Sequence, residues 1–139
     1  MKKVHTLITI ALLFFAVIVH AQPAGKVIET VKISSAILKK EVNYTVYLPA
    51  DYETSQRSYP VVYLLHGYTD DNTGWLQFGE INRYADKAIA DGTIPPMIIV
   101  MPNGGVRWYI NSYDGKENYK NFFIKEFMKK KKKTYRIKA

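Results

Sequence analysis

An α/β fold, antiparallel at its start and parallel in its middle, is what the 139-residue sequence predicts. Three observations carry that reading. VVYLL, residues 61–65, and MIIVM, residues 97–101, are continuous apolar runs, the pattern of strands buried on both faces. Between them Ile81, Tyr84, Ala85, Ala88 and Ile89 recur at helical spacing, so strand, helix and strand follow as a parallel crossover requires. Upstream, EVNYTVYL, residues 41–48, alternates, with Val42, Tyr44, Val46 and Leu48 on one side.

The elements follow in order. Lys2 and Lys3 precede a 13-residue run from Leu7 to Val19 broken only by Thr9, and Val19-His20-Ala21 offers a cleavage site. This three-part pattern predicts a secretory signal peptide over residues 1–21, and hence a secreted or periplasmic protein; the apolar run is short for a membrane span of about 20 residues. The mature domain then covers 22–139, with no membrane partner after cleavage. Residues 27–38 read as an extended segment that pairs antiparallel with 41–48, which Pro49 ends. Residues 51–58 are a polar loop. His66-Gly67 stops the first apolar run, and residues 68–80 form a loop rich in Asp, Asn, Thr and Gly. Gly92 sits where a helix C′ residue belongs. Pro102-Asn103-Gly104-Gly105 is a turn, Trp108, Tyr109 and Tyr113 lie beyond it, and a last helix from about Asn118 lines up Tyr119, Phe122, Phe123 and Phe127.

Composition narrows the chemistry. There is no cysteine, which excludes disulfides, a thiolate metal site and a cysteine nucleophile. The net charge of +8 is confined to one end: residues 1–115 hold ten Lys/Arg and ten Asp/Glu, residues 116–139 ten and two. The basic end reads as a solvated tail, and no nucleic-acid partner is expected, because the lysines lack interleaved aromatics and a basic fold surface. Asp70-Asp71 reads as a solvated turn; a metal pair there would need further acids or histidines nearby, and no metal site is expected.

In open α/β sheets ligands bind beyond the carboxyl ends of the parallel strands. Those ends are His66-Gly67-Tyr68 and Pro102-Asn103-Gly104-Gly105. A glycine at position 67 lets the backbone turn so that an N–H can face a substrate oxygen, as one N–H of an oxyanion hole does.

The segments PVVYLLHGYTDDNTGW, INRYADKAIADGTI and PPMIIVMPNGG closely resemble the esterase D, feruloyl-esterase and mycolyltransferase-like group of α/β-hydrolases. Ser58-Tyr59-Pro60, Trp75, Trp108-Tyr109 and Asn111-Ser112 share in the resemblance, which runs from about residue 39 to 139. It implies an α/β-hydrolase sheet in three layers, a serine esterase acting on small-molecule or carbohydrate esters or acyl thioesters, and no cofactor. It assigns the oxyanion N–H to Tyr68, the loop turn to Gly67, and substrate contacts to His66, Trp75, Trp108 and Tyr109. Trp75, Trp108 and Tyr109 equally suit a sugar platform or a simple cover for the sheet, and His66 taken alone reads as a structural histidine.

The group's nucleophile lies in a G-x-S-x-G elbow. No serine here (Ser34, Ser35, Ser55, Ser58, Ser112) has that setting, and His66 is the only histidine outside residues 1–21. The expectation is therefore the oxyanion-loop portion of an esterase, cut before its triad and inactive alone. The alternatives are a non-catalytic carbohydrate-binding or interaction module, and a functionless gene fragment. Two further expectations follow. VVYLL, without the nucleophile strand, forms an open apolar edge prone to aggregation. Lys129–Lys133 go round more than a helical turn, so the last helix should fray or swing out after Phe127.

Overall fold

The computed structural model describes residues 23–106 and 108–138; the signal-peptide reading of residues 1–21 lies outside them. Strands β1 (Lys26–Ser35) and β2 (Lys40–Leu48) form an antiparallel hairpin, with a bulge in β1 between Ile28 and Val31. After the polar loop come β3 (Val61–Tyr63), the short helix α1 (Gly74–Gln77), helix α2 (Ile81–Ala90) and β4 (Ile98–Pro102). The chain then forms α3 (Tyr119–Phe122), a π-helical turn (Phe123–Phe127) and α4 (Met128–Thr134).

The four strands make one mixed sheet in the order β1-β2-β4-β3, with β4 antiparallel to β2 and parallel to β3. The long connection through α2 is what permits that parallel pair. Every residue of β4 is buried, and alternate side chains enter different cores. Ile98 and Val100 join Tyr44, Val46, Phe122 and Phe127 under α3, the π turn and α4. Ile99 and Met101 join Tyr47 and Ala85 under α2. The continuous apolar run thus fulfils its prediction: a central strand with helices on both sides. Tyr84 of the predicted α2 face is exposed instead, since Ile81, Ala85 and Ile89 meet the sheet. Gly92, at φ +70°, ends the helix as expected.

The other run fares differently. Only Val61–Tyr63 are strand, and Val62 is 40% exposed because β3 is the sheet's edge. Pro60 C=O accepts from Ile98 N–H and Leu64 N–H donates to Val100 C=O, so even-numbered residues face β4 and odd-numbered ones face outward. Part of that outer side is taken. Tyr59 N–H donates to Arg136 C=O and its C=O accepts from Lys138 N–H, a parallel bridge centred on Ile137. The Arg136 guanidinium lies 3.8 Å over the Tyr52 ring and hydrogen-bonds the Tyr52 and Arg57 carbonyls, pinning this segment.

The lysine run corrects an expectation. The helix neither frays nor swings out after Phe127 but continues to Thr134. Phe122 and Phe127, five residues apart, are both fully buried, an offset that the π turn accommodates. Lys131, one turn beyond Phe127, then points inward and is only 3% exposed, while Lys129, Lys130, Lys132 and Lys133 stay in solvent. The Lys131 ammonium sits 3.6 Å over the Tyr44 ring, with Phe127 and Tyr135 at 5.3 and 5.7 Å. Such contacts are worth about 2 kcal/mol when desolvated, against several kcal/mol for burying an ion. Burial, then the neighbouring Lys130 charge, lower its pKa to about 8.

Candidate functional site

The carboxyl ends of β3 and β4 bring two loops together, His66–Thr69 and Asn103–Gly105. His66 is buried between them. Its Nε2 accepts the Gly104 N–H at 2.9 Å and its Nδ1 meets Gly67 C=O at 2.7 Å, which assigns the neutral ring with its proton on Nδ1. Both ring nitrogens are therefore engaged in joining the loops. Tyr109 completes the link. Its hydroxyl accepts from His66 N–H at 2.9 Å and donates to His66 C=O at 3.1 Å. Burial, partly countered by the backbone bond to His66, raises its pKa to about 12, so the phenol stays protonated.

Gly104 has a reason to be glycine, because a Cβ there would run into the Tyr109 ring. Beneath the loops runs a polar chain that sequence reasoning missed. Asn72 donates to Thr45 Oγ1 at 2.8 Å, Asn103 donates to Asn72 Oδ1 at 3.3 Å, and Gly105 N–H donates to Asn103 Oδ1 at 2.8 Å. Asn72 and Thr45 are both buried. The only sequence signals were Thr45 on the apolar strand and an Asn in each loop. Asp71 caps the α1 approach through Thr73 N–H and Oγ1; these backbone and side-chain bonds hold its carboxyl below the usual range. Asp70 accepts from Asp71 N–H.

Above this framework the loop is open. Gly67 and Tyr68 are exposed, and Tyr68 N–H donates to no acceptor among the described residues. Thr69 next to it has φ +69°, a left-handed conformation uncommon for a β-branched residue and typical of functional loops. The Tyr68 ring stacks on Trp108 with centroids 5.6 Å apart and planes 19° apart. Tyr68 is 56% and Trp108 73% exposed, so the stack is a surface platform. Trp75 is set apart, its Nε1–H bonded to Leu65 C=O at 2.9 Å. Thus Gly67, Tyr68 and Trp108 share the open rim, His66 and Tyr109 lie beneath it, and Trp75 flanks β3. Among the described residues no serine hydroxyl contacts His66: Ser35 bonds Glu126 and Ser112 bonds Asp114. A cleft of about 430 Å³ lies at the opposite end of the sheet, against Tyr47, Asp86 and Pro96, away from these loops.

Comparison with known proteins agrees with the geometry. Residues 35–139 match the family model described as "Putative esterase". The chain is 40% identical over 88 residues to an esterase of Mycobacterium tuberculosis, covering 60% of this chain and 18% of that protein. It is 43% identical over 63 residues to an endo-1,4-beta-xylanase/feruloyl esterase of Xylanibacter ruminicola, covering 42% of this chain and 9% of that one. A solved ferulic acid esterase superposes with a TM-score of 0.76 at 35% identity, over 82% of this chain and 45% of its own. The chain thus spans less than a fifth of the length of these curated relatives and under half of the solved one. The mixed sheet between helices is an α/β-hydrolase arrangement, present in part, with one edge open.

Proposed function

The chain belongs to the esterase family, and on that premise we propose that it is the oxyanion-loop portion of an exported carboxylic ester hydrolase of the feruloyl- or acetyl-esterase type. The observation that carries the reading is the uncommitted Tyr68 N–H on a loop fixed from below by His66, Tyr109 and the Asn72–Asn103 chain. A donor held in advance stabilises charge that appears only in the transition state. Gly67 opens the turn, its C=O accepting from Asp70 N–H, in a conformation and a space that do not require glycine, and the Tyr68–Trp108 platform holds the acyl or sugar ring of the ester. The relatives named for ferulic acid support an aromatic acyl group. The pattern of residues 1–21 supports export to the periplasm or cell exterior.

In the reaction a serine hydroxyl adds to the ester carbonyl as its proton passes to a base, the resulting oxyanion accepts a hydrogen bond from the Tyr68 N–H, the alcohol leaves with that proton, and water then cleaves the acyl-serine to release the acid. These 139 residues hold no G-x-S-x-G segment; on this reading the serine, its base and its acid are supplied from outside them. The 139-residue polypeptide should not turn over p-nitrophenyl acetate; turnover abolished by a serine-directed phosphonate would refute this. A polypeptide that continues through a nucleophile elbow should hydrolyse methyl ferulate. There Tyr68→Pro, which deletes both the N–H and the platform ring, should lower kcat by about 10²–10³ relative to Tyr68→Ala, which removes the ring alone. Unchanged kcat removes Tyr68 from the mechanism.

A second reading rests on the exposed platform: a non-catalytic carbohydrate-binding module. Micromolar binding of xylan oligosaccharides, lost in Trp108→Ala, would favour it.

A further inference from the structure

A cleft of about 490 Å³ opens between β1 and α4, with Tyr44 and Val31 in its wall and Lys32, Lys130, Lys131 and Lys133 around it. No carboxylate lines it. Two of the lysines are neutralised from outside the cleft: Lys32 by Glu41 at 3.4 Å, and Lys130 by Glu126 at 3.3 Å. Lys133 has no carboxylate partner among the described residues, and neither has Lys131. For Lys133, in solvent, this is unremarked. Lys131, which lines the cleft, is nine-tenths buried, with the Tyr44, Phe127 and Tyr135 rings near its ammonium. Ring faces attract a cation but accept no ionic hydrogen bond, so they offset part of the desolvation and leave the ammonium without a counter-charge.

We propose that this cleft is an anion site, and that a small oxyanion, whether carboxylate, phosphate or sulfate, seats on Lys131 with Lys133 closing over it. The charge pattern is the argument: two lysines already paired, two unpaired, and the deepest of them unpaired. An oxyanion supplies the missing counter-charge and accepts from the ammonium N–H groups in the manner of charge-assisted hydrogen bonds. The site shares no residue with the His66–Tyr68 loop and is independent of the esterase reading.

Isothermal titration of the purified protein with inorganic phosphate, against sodium chloride at equal ionic strength, tests this. Phosphate should bind saturably and chloride should not. Lys131→Met, which keeps the aliphatic stem and removes the charge, should weaken phosphate by about tenfold. Its near-ultraviolet circular dichroism should remain native, as a check on folding. Should that variant fail to fold, Lys133→Gln on the exposed side should weaken phosphate by about threefold. Sodium glucuronate forms a parallel arm: tighter glucuronate assigns the natural occupant to carboxylates, tighter phosphate to phosphoryl groups, and either supports the site. Phosphate that binds no better than chloride, or equally well to both folded variants and the unaltered protein, overturns the proposal.

Discussion

His66 and Lys131 carry opposite lessons about single residues. His66 stands at the end of an apolar strand beside a glycine, a position that reads as chemistry. Its neighbours give it architecture: Nδ1 on Gly67, Nε2 on Gly104, and the backbone clasped by Tyr109. The motif was legible, but the partner was not, because Gly104 arrives from 38 residues away. Lys131 reads as solvated tail, and proves to be part of the core. Hydropathy cannot foresee an ammonium compensated by rings that come from β2 and from beyond its own helix. Its lowered pKa carries a testable sign. Between the folded value of about 8 and the unfolded value of 10.5 the unfolded chain binds more protons, so stability rises with pH there. Tyr44 and Tyr135 have raised pKa values, chiefly through burial, so above about pH 10 their ionisation favours unfolding and reverses the trend. Urea midpoints measured from pH 7.5 to 10.5 should therefore rise and then fall, and Lys131→Met should abolish the rise.

Among the elements, the sheet was the easiest to foresee. Unbroken apolarity in β4 follows from cover on both faces, whereas the alternation in β2 understates its cover, since residues 44–48 are all buried. The helix from Tyr119 was foreseen at its start and misjudged at its end, because a π turn shifts every later side chain by one position. Glu126 within that turn ties it to the β1–β2 hairpin. It accepts from Ser35 Oγ at 2.6 Å and Ala36 N–H at 2.9 Å, and pairs with Lys130. Burial pushes its carboxyl up, but these bonds together outweigh burial and hold it below the usual 4.5. Its contribution is therefore full above that value and fades as pH falls. Glu126→Ala should cost about 1–2 kcal/mol by urea denaturation at pH 7, with faster hydrogen exchange at Ala36. An unchanged midpoint would show that the tie is idle.

At the level of the whole molecule the sheet has one guarded and one open flank. β1 is long, bulged and carries charges at Lys26, Glu29 and Lys32. β3 offers the outward backbone groups of Val61 and Tyr63, with Val62 and Leu65 exposed beside them. The open flank was foreseen from the absence of a G-x-S-x-G strand. The bridge from Ile137 to Tyr59, which covers the chain just before β3, was not, since it depends on Arg136 meeting Tyr52 across 84 residues. Such an edge recruits other strands. Val62→Lys should raise the soluble fraction on expression and lower light scattering on concentration. Equal scattering from both proteins, or a soluble parent with a sharp cooperative melt, would count against the edge as the liability.

The protein has two tryptophans, and they report on different things. Trp75 leans on Leu65 through its indole N–H, while Trp108 lies in water against Tyr68. Emission from the second should be red-shifted and readily quenched by iodide, and a ring settling on the platform should shield it and move it to the blue. The candidate site thus contains its own optical gauge, readable without a label and without waiting for any ester to be cleaved.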